Sequence, residues 1–348
     1  MSTRDATLDI AKGLAIIAIV VGHVLRGLGN AGIVVKDGGG YLLADRAIYS
    51  FHLAVFAVAA GLLVAGAVDR RGVGPYLRHR LVTFTWLYVL WSLPLGALQV
   101  VFSGSVNHGK DWATVLNLSQ PQNHMWFFPW IAVCSLVVAL WRPWLTRARA
   151  ACAVLVSMAL SLAAWGWFGP VIFLQGHGLT AFFVIAACVG LSAFQRLRGR
   201  LGVWHELPVF LAATVAWLLL MVMTPAAGPT YSKLERTVPN IAVSVLATCL
   251  GVGAVVAASA LLSRVAVVSE TLAYVGVHSL EIFLAHTLAT AGVRIALSKI
   301  GLTDPILHLL LGTIAGVVVP LALWGLTRRY LPWLWQAPKI WTQAPLSR

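Results

Sequence analysis

Ten stretches of about twenty mostly apolar residues recur along the chain, near 8–28, 44–67, 80–102, 124–141, 149–166, 177–195, 206–224, 239–262, 271–293 and 305–327. A helix rises about 1.5 Å per residue, so each stretch suits a hydrocarbon core about 30 Å thick. In that medium a segment must satisfy its own backbone amides and carbonyls, which leaves helices or a closed barrel. Barrel strands would alternate apolar and polar residues over about ten positions, and that alternation is absent. The chain therefore reads as all-α, a polytopic bundle of about ten membrane-spanning helices. Composition agrees: 10% of the 348 residues are charged and 59% hydrophobic, with a mean hydropathy of +0.86, whereas a soluble domain carries about a quarter charged residues. No polar block is large enough for a soluble domain, so residues 1–348 read as a single transmembrane domain. Gly166, Gly169, Pro170, Gly176 and Gly178 make the fifth and sixth stretches the least regular.

Charge gives the direction of threading. With the N-terminus in the cytoplasm, the segments on that side hold sixteen basic residues: Arg4, Arg70, Arg71, Arg78, Arg80, Arg142, Arg147, Arg149, Arg196, Arg198, Arg200, Arg264, Arg328, Arg329, Lys339 and Arg348. The other face holds eight, namely Arg26, Lys36, Arg46, Lys110, Lys233, Arg236, Arg294 and Lys299. Positive residues favour the cytoplasmic side, so both termini are expected there and the loop around 103–123 outside. The net charge of +14 is then mostly a topological signal, and a nucleic-acid partner has little support. The first stretch has the charged start and apolar core of a signal peptide, but Asp9 and Lys12 interrupt it and no convincing cleavage site follows. Cys134, Cys152, Cys188 and Cys249 all fall within spans, without metal-ligand spacing. No internal repeat, P-loop or dinucleotide fingerprint is present.

The polar residues left at membrane depth are the best clue to function, because ionisable groups there are costly and usually face a bundle interior or water-filled cavity. Lys12 and His23 are eleven residues apart in the first span. At about 100° per residue, eleven residues come within ~20° of three full turns, so the two share a face, with Asp9 one turn before Lys12.

Four segments carry a resemblance. Asp9, Lys12-Gly13 and His23 are similar to the opening signature of the acyltransferase-3 family, an Asp, a basic residue followed by Gly or Ala, and a His eleven further on. Phe51-His52-Leu53-Ala54-Val55-Phe56, closing on Ala60-Gly61, resembles the Phe-His-Met-Pro-Leu-Phe run that ends in Ser-Gly. His124-Met125-Trp126-Phe127-Phe128-Pro129 resembles Leu-Trp-Phe-Leu-Pro. Gly276-Val277-His278-Ser279-Leu280-Glu281-Ile282-Phe283-Leu284-Ala285-His286 resembles Gly-x-x-Ser-Leu-x-Ile-Tyr-Leu-x-His. The four keep their family order from residue 9 to 286. The chain departs from the pattern at Lys12, where the family usually has Arg, and at Ala60, where it has Ser. The Arg-rich stretch before the third span survives as Tyr76-Leu77-Arg78-His79-Arg80, without the Pro expected after it.

The resemblance implies a membrane-embedded O-acyltransferase of the cell membrane. It would move an acyl group, commonly acetyl, from cytoplasmic acyl-CoA to a hydroxyl of a sugar, lipid-linked glycan or other cell-envelope acceptor. Catalysis would fall to His23, Lys12 and Asp9, donor phosphates to Arg78, Arg80 and Arg71, and acceptor contacts to His52, Trp126, Glu281 and His286. A histidine is suited to take the hydroxyl proton near neutral pH, a cation to steady the oxyanion, and arginines to hold phosphates. Each residue also has a plainer reading. His23, His52 and His286 can be interhelical hydrogen-bonding groups, Lys12 can merely neutralise Asp9, Arg78 and Arg80 can be topological charges, and Trp126 an interface anchor. His278 and Glu281, three apart, can pair. His108, His124 and His177 form no recognisable ligand set, and no metal is assigned. A transporter or flippase, or an inactive scaffold of the same family, remains the alternative class.

Overall fold

The computed structural model describes residues 6–101, 109–230, 232 and 235–342. Arg4, His108, Lys233 and Arg348 lie outside the described residues. The order is α1 (Thr7–Asn30), α2 (Gly39–Arg71), α3 (Val73–Val101), α4 (Trp112–Leu116), α5 (Phe127–Trp141), α6 (Arg147–Ala163), α7 (Thr180–Gly199), α8 (Val203–Met223), α9 (Val238–Leu262), α10 (Ala266–Val277), α11 (Ser279–Lys299), α12 (Pro305–Thr327) and α13 (Lys339–Thr342). The described residues contain no strand. Nine helical segments among them are long and apolar enough to cross a membrane: α1, α2, α3, Asn123–Leu145 (which contains α5), His177–Gly199 (which contains α7), α8, α9, α11 and α12.

Three details differ from the sequence reading. The fifth expected span is α6, only 17 residues long and not among the nine. Its apolar side chains Leu155, Val156 and Leu160 are nonetheless exposed, as lipid-facing residues would be, and it starts on a cap in which Thr146 accepts from the Arg149 amide. The ninth expected span is two helices, α10 and α11, parted at His278, whose backbone (φ −95, ψ 20) leaves the helical path. Finally, α3 begins at Val73 rather than near residue 80, so Arg78 and Arg80 lie within its first turns and not in a loop before it. A further break in the helical path lies inside α7, at Gly190 (φ 69, ψ 157).

The described residues fall into two compact units, those of 6–56 and 195–323 in one, and those of 57–101, 109–194 and 324–342 in the other. In the first, α1 is central and packs on α9, α10 and α11. Two glycines set the closeness of the α1–α10 crossing. A β-carbon on Gly276 would overlap the Asp9 carbonyl oxygen, and one on Gly13 would overlap that of Leu272. Such small-residue contacts let helices associate in lipid, where apolar burial gives no drive. Gly22 plays a similar part against Tyr49 on α2, as do Gly312 and Gly316 of α12 against Val24 and Val20. Arg46 ties α2 to the end of α8 by donating to the carbonyls of Met221, Thr224 and Ala226 at 3.2, 2.9 and 3.3 Å. Of these, the Met221 carbonyl belongs to the last turn of α8, whose carbonyls a helix end leaves unsatisfied.

In the second unit α3 packs on α4, α5 and α13. Its indoles hold the segment that follows α12. Trp86 Nε1 donates to the Trp333 carbonyl and Trp91 Nε1 to that of Leu334, both at 2.7 Å. Trp86 also meets Trp341 edge-on at 5.1 Å. Two connections meet where the Ile172 amide donates to the Ser119 carbonyl at 2.7 Å. Near them, Asp111 caps α4 by accepting from the Thr114 amide at 2.7 Å, and burial pushes the pKa of the neighbouring Lys110 ammonium down. Gly176 (φ +87) closes against the rings of Trp126 and Trp130 with no room for a β-carbon.

Candidate active site in the first unit

The face of α1 that carries Asp9, Lys12 and His23 looks toward α10 and α11. Lys12 Nζ lies 2.8 Å from Asp9 Oδ1, with side-chain exposures of 19% and 9%, so the neutralising pair expected from the spacing is formed. It does not close the ammonium off: Lys12 also acts electrostatically on Glu281, at the start of α11. Glu281 in turn lies 3.7 Å from His278 Nδ1, and His278 packs edge-on to Tyr274 at 4.6 Å. The break at His278 places these side chains at a helix junction instead of mid-helix. A run of ionisable side chains, Asp9, Lys12, Glu281 and His278, thus occupies one end of the α1–α11 contact.

Further along the same face, His23 meets His286, with ring centroids 4.9 Å apart and ring planes at 63°. Lys12 answers to Glu281 and His23 to His286, so α1 and α11 run in the same direction. His286 Nδ1 contacts the Ile282 and Phe283 carbonyls at 3.0 and 2.9 Å. His52 has a related arrangement on α2, with Nδ1 2.6 Å from the Ile48 carbonyl and the ring edge-on to Tyr49 at 4.7 Å. Carbonyl oxygens only accept, so in both rings Nδ1 is the donor and the neutral ring carries its lone pair on Nε2.

One turn beyond His23 lies a group that the sequence reading did not single out. Arg26 donates from Nε and Nη2 to the two Asp45 oxygens at 2.5 and 2.9 Å, and its guanidinium lies 3.3 Å from the centroid of the Tyr49 ring. A bidentate pair with a cation–π contact beneath it fixes α1 to α2. The signal was available: Arg26 is three residues after His23, while Asp45, seven before His52, is two turns along one face of α2.

The remaining candidates belong to the second unit. Arg71 is exposed at the end of α2. Arg78 donates from Nε to the Trp341 carbonyl at 2.9 Å, and Arg80 lies 5.2 Å from the centroid of Phe84. Both are half-buried. Trp126 is half-buried ahead of α5, edge-on to Phe127 at 6.0 Å. His124 is buried. His177 is held by its own loop, Nε2 lying 2.8 Å from the Phe173 carbonyl, which suits a structural role.

A family model described as an acyltransferase domain matches residues 5–325. The chain belongs to the acyltransferase-3 family. Membership accounts for the four sequence segments together, three of which supply the polar residues just described in the first unit. Among curated proteins, the chain is similar to Nodulation protein NolL of Mesorhizobium japonicum, 27% identical over 144 residues, covering 39% of this chain and 35% of that protein. It is also similar to Nodulation protein NolL of Sinorhizobium fredii, 26% identical over 175 residues, covering 46% of this chain and 44% of that protein. The chain thus spans less than half the length of these relatives. No solved structure matches it.

Proposed function

We propose that this acyltransferase-3 protein moves an acyl group, acetyl in the simplest case, from cytoplasmic acyl-CoA to a hydroxyl of a sugar, a lipid-linked glycan or another cell-envelope acceptor. It does so as a multi-pass protein of the cell membrane with both termini in the cytoplasm. The observation that carries the reading is the polar track along α1, with Asp9, Lys12 and His23 on one helical face at membrane depth and His23 packed against His286.

In this reading His23 takes the proton as the acceptor oxygen bonds to the acyl carbon. The carbon–sulfur bond then breaks, and the departing CoA thiolate receives that proton back from His23, so His23 ends as it began. Lys12, paired with Asp9, faces the oxyanion of the tetrahedral intermediate. Arg71, Arg78 and Arg80 hold the phosphates of the donor. The Nε of Arg78 donates to the Trp341 carbonyl, and its guanidinium carries further donors suited to an anion. His52, Trp126 and Glu281 complete the acceptor side.

The test is transfer of radiolabelled acetyl from acetyl-CoA to an extract of envelope glycans by purified protein in detergent. Wild type should transfer label. His23→Ala should lose about 10²–10⁴-fold in rate while inserting and unfolding like wild type, because one interhelical hydrogen bond is worth only about 0.6–2 kcal/mol. Near-normal turnover in His23→Ala at saturating substrates removes His23 as the base. Uptake into liposomes without any transfer would favour the transporter class.

A further inference from the structure

His286 has a property that an ordinary packing histidine lacks. Its Nδ1 is engaged with the carbonyl oxygens of Ile282 and Phe283 in its own helix, which makes Nδ1–H the donor and leaves the acceptor lone pair on Nε2. The tautomer is therefore set by the backbone of α11, and the ring is pinned at its δ edge. The side chain is 0% exposed. What it does meet is His23: the rings are edge-on, and one ring nitrogen of each lies within 4.8 Å of the other. That gap is closed by a small ring rotation or by one bridging water.

We propose that His286 is a positioning residue for His23, and that its Nε2 is the acceptor for one ring N–H of His23 while the other His23 nitrogen faces the reacting hydroxyl. The inference rests on the reading of His23 as the base. A base that has taken a proton carries N–H groups on both ring nitrogens. One of them bears the proton just removed from the hydroxyl, and the other needs a partner, because a buried charged donor without one is costly. His286 can supply that partner without adding a charge and without accepting a proton in any net step. It also decides which nitrogen of neutral His23 holds the hydrogen, and so which is available to the hydroxyl. The role resembles that of the third member of a nucleophile–base–orienter set, filled here by a neutral ring held by helix backbone.

Two substitutions separate this role from simple packing. His286→Asn keeps an amide donor near the δ position for the two carbonyls and has nothing at the ε position. His286→Gln places its amide oxygen near the ε position. With donor and acceptor varied in turn, His286→Asn should lower kcat on the order of 10²-fold, leave both KM values near wild type, and unfold at a similar temperature. His286→Gln should recover most of that loss. Wild-type kcat in folded His286→Asn, equal loss in both variants, or a raised acceptor KM with kcat intact would each overturn the positioning role. If His286→Asn does not fold, His286→Gln against His286→Met gives the same comparison at constant length, with and without the acceptor oxygen. His23→Ala in the same assay keeps the two failures apart. An active His23→Ala removes the base reading itself, whereas an inactive one beside a fully active His286→Asn removes only the positioning role.

Discussion

Arg78 and Arg80 are the residues whose two readings differ most in what they would do to kinetics. As donor-phosphate ligands, their joint replacement in Arg78→Gln/Arg80→Gln should raise the apparent KM for acyl-CoA by about tenfold or more per lost charge-assisted contact, at roughly 1.5–3 kcal/mol each, with the acceptor KM held. As topological charges they should leave both constants alone, and an unchanged KM in the inserted double mutant returns them to that status. Their place in the first turns of α3 was not legible in the sequence, because Tyr76-Leu77-Arg78-His79-Arg80 has too many polar residues for a hydropathy window to extend the span over it. The α1 residues were legible for the opposite reason: a Lys, an Asp and a His inside an apolar run stand out, and helical spacing alone puts them on one side. What spacing could not give was partners. Nothing in the sequence says that His23 meets His286, or that Arg26 closes on Asp45, because both pairs depend on how separate helices cross.

The α1–α10 crossing is where an element-level change should be felt most. Gly276→Ala puts a methyl group against the Asp9 backbone, which no side-chain rotation can relieve. Overpacking of this kind costs about 1–3 kcal/mol, and here it would also move Asp9 and Lys12 away from α11. Thermal unfolding in detergent should fall and transfer should slow together. Gly253→Ala, where a β-carbon meets nothing within 4 Å, should be as stable as wild type or slightly more so. Equal behaviour of the two variants would show that the close crossing is not needed. Helix existence was readable throughout from apolar length. Helix continuity was not: the break at His278 falls in a stretch whose composition is as apolar as an unbroken span, with neither a proline nor a glycine at the break itself. α6 shows the converse: it ends at Ala163, ahead of Gly166 (φ 71), and its 17 residues are at the lower end of what crosses a bilayer.

At the scale of the molecule the open matter is threading. If α6 crosses as a tenth span, the sixteen-to-eight division of basic residues puts both ends of the chain in the cytoplasm. In intact cells a cysteine introduced by Ser105→Cys should then react with an impermeant maleimide and one introduced by Ser2→Cys should not. Both positions lie outside the described residues. Labelling of Ser2→Cys from outside would reverse the arrangement. One feature of the second unit agrees with the expected threading: the Arg78 contact with Trp341 requires the start of α3 and the segment after α12 to share a side of the membrane. The same contact has a practical consequence. The stretch from Trp333 to Trp341 lies along α3 by indole-to-carbonyl bonds, so it acts as a splint for the helix that bears Arg78 and Arg80. An affinity handle or fluorescent fusion joined just behind residue 342 would pull on that splint, and a weakly active preparation made that way would report on its label before it reported on the enzyme.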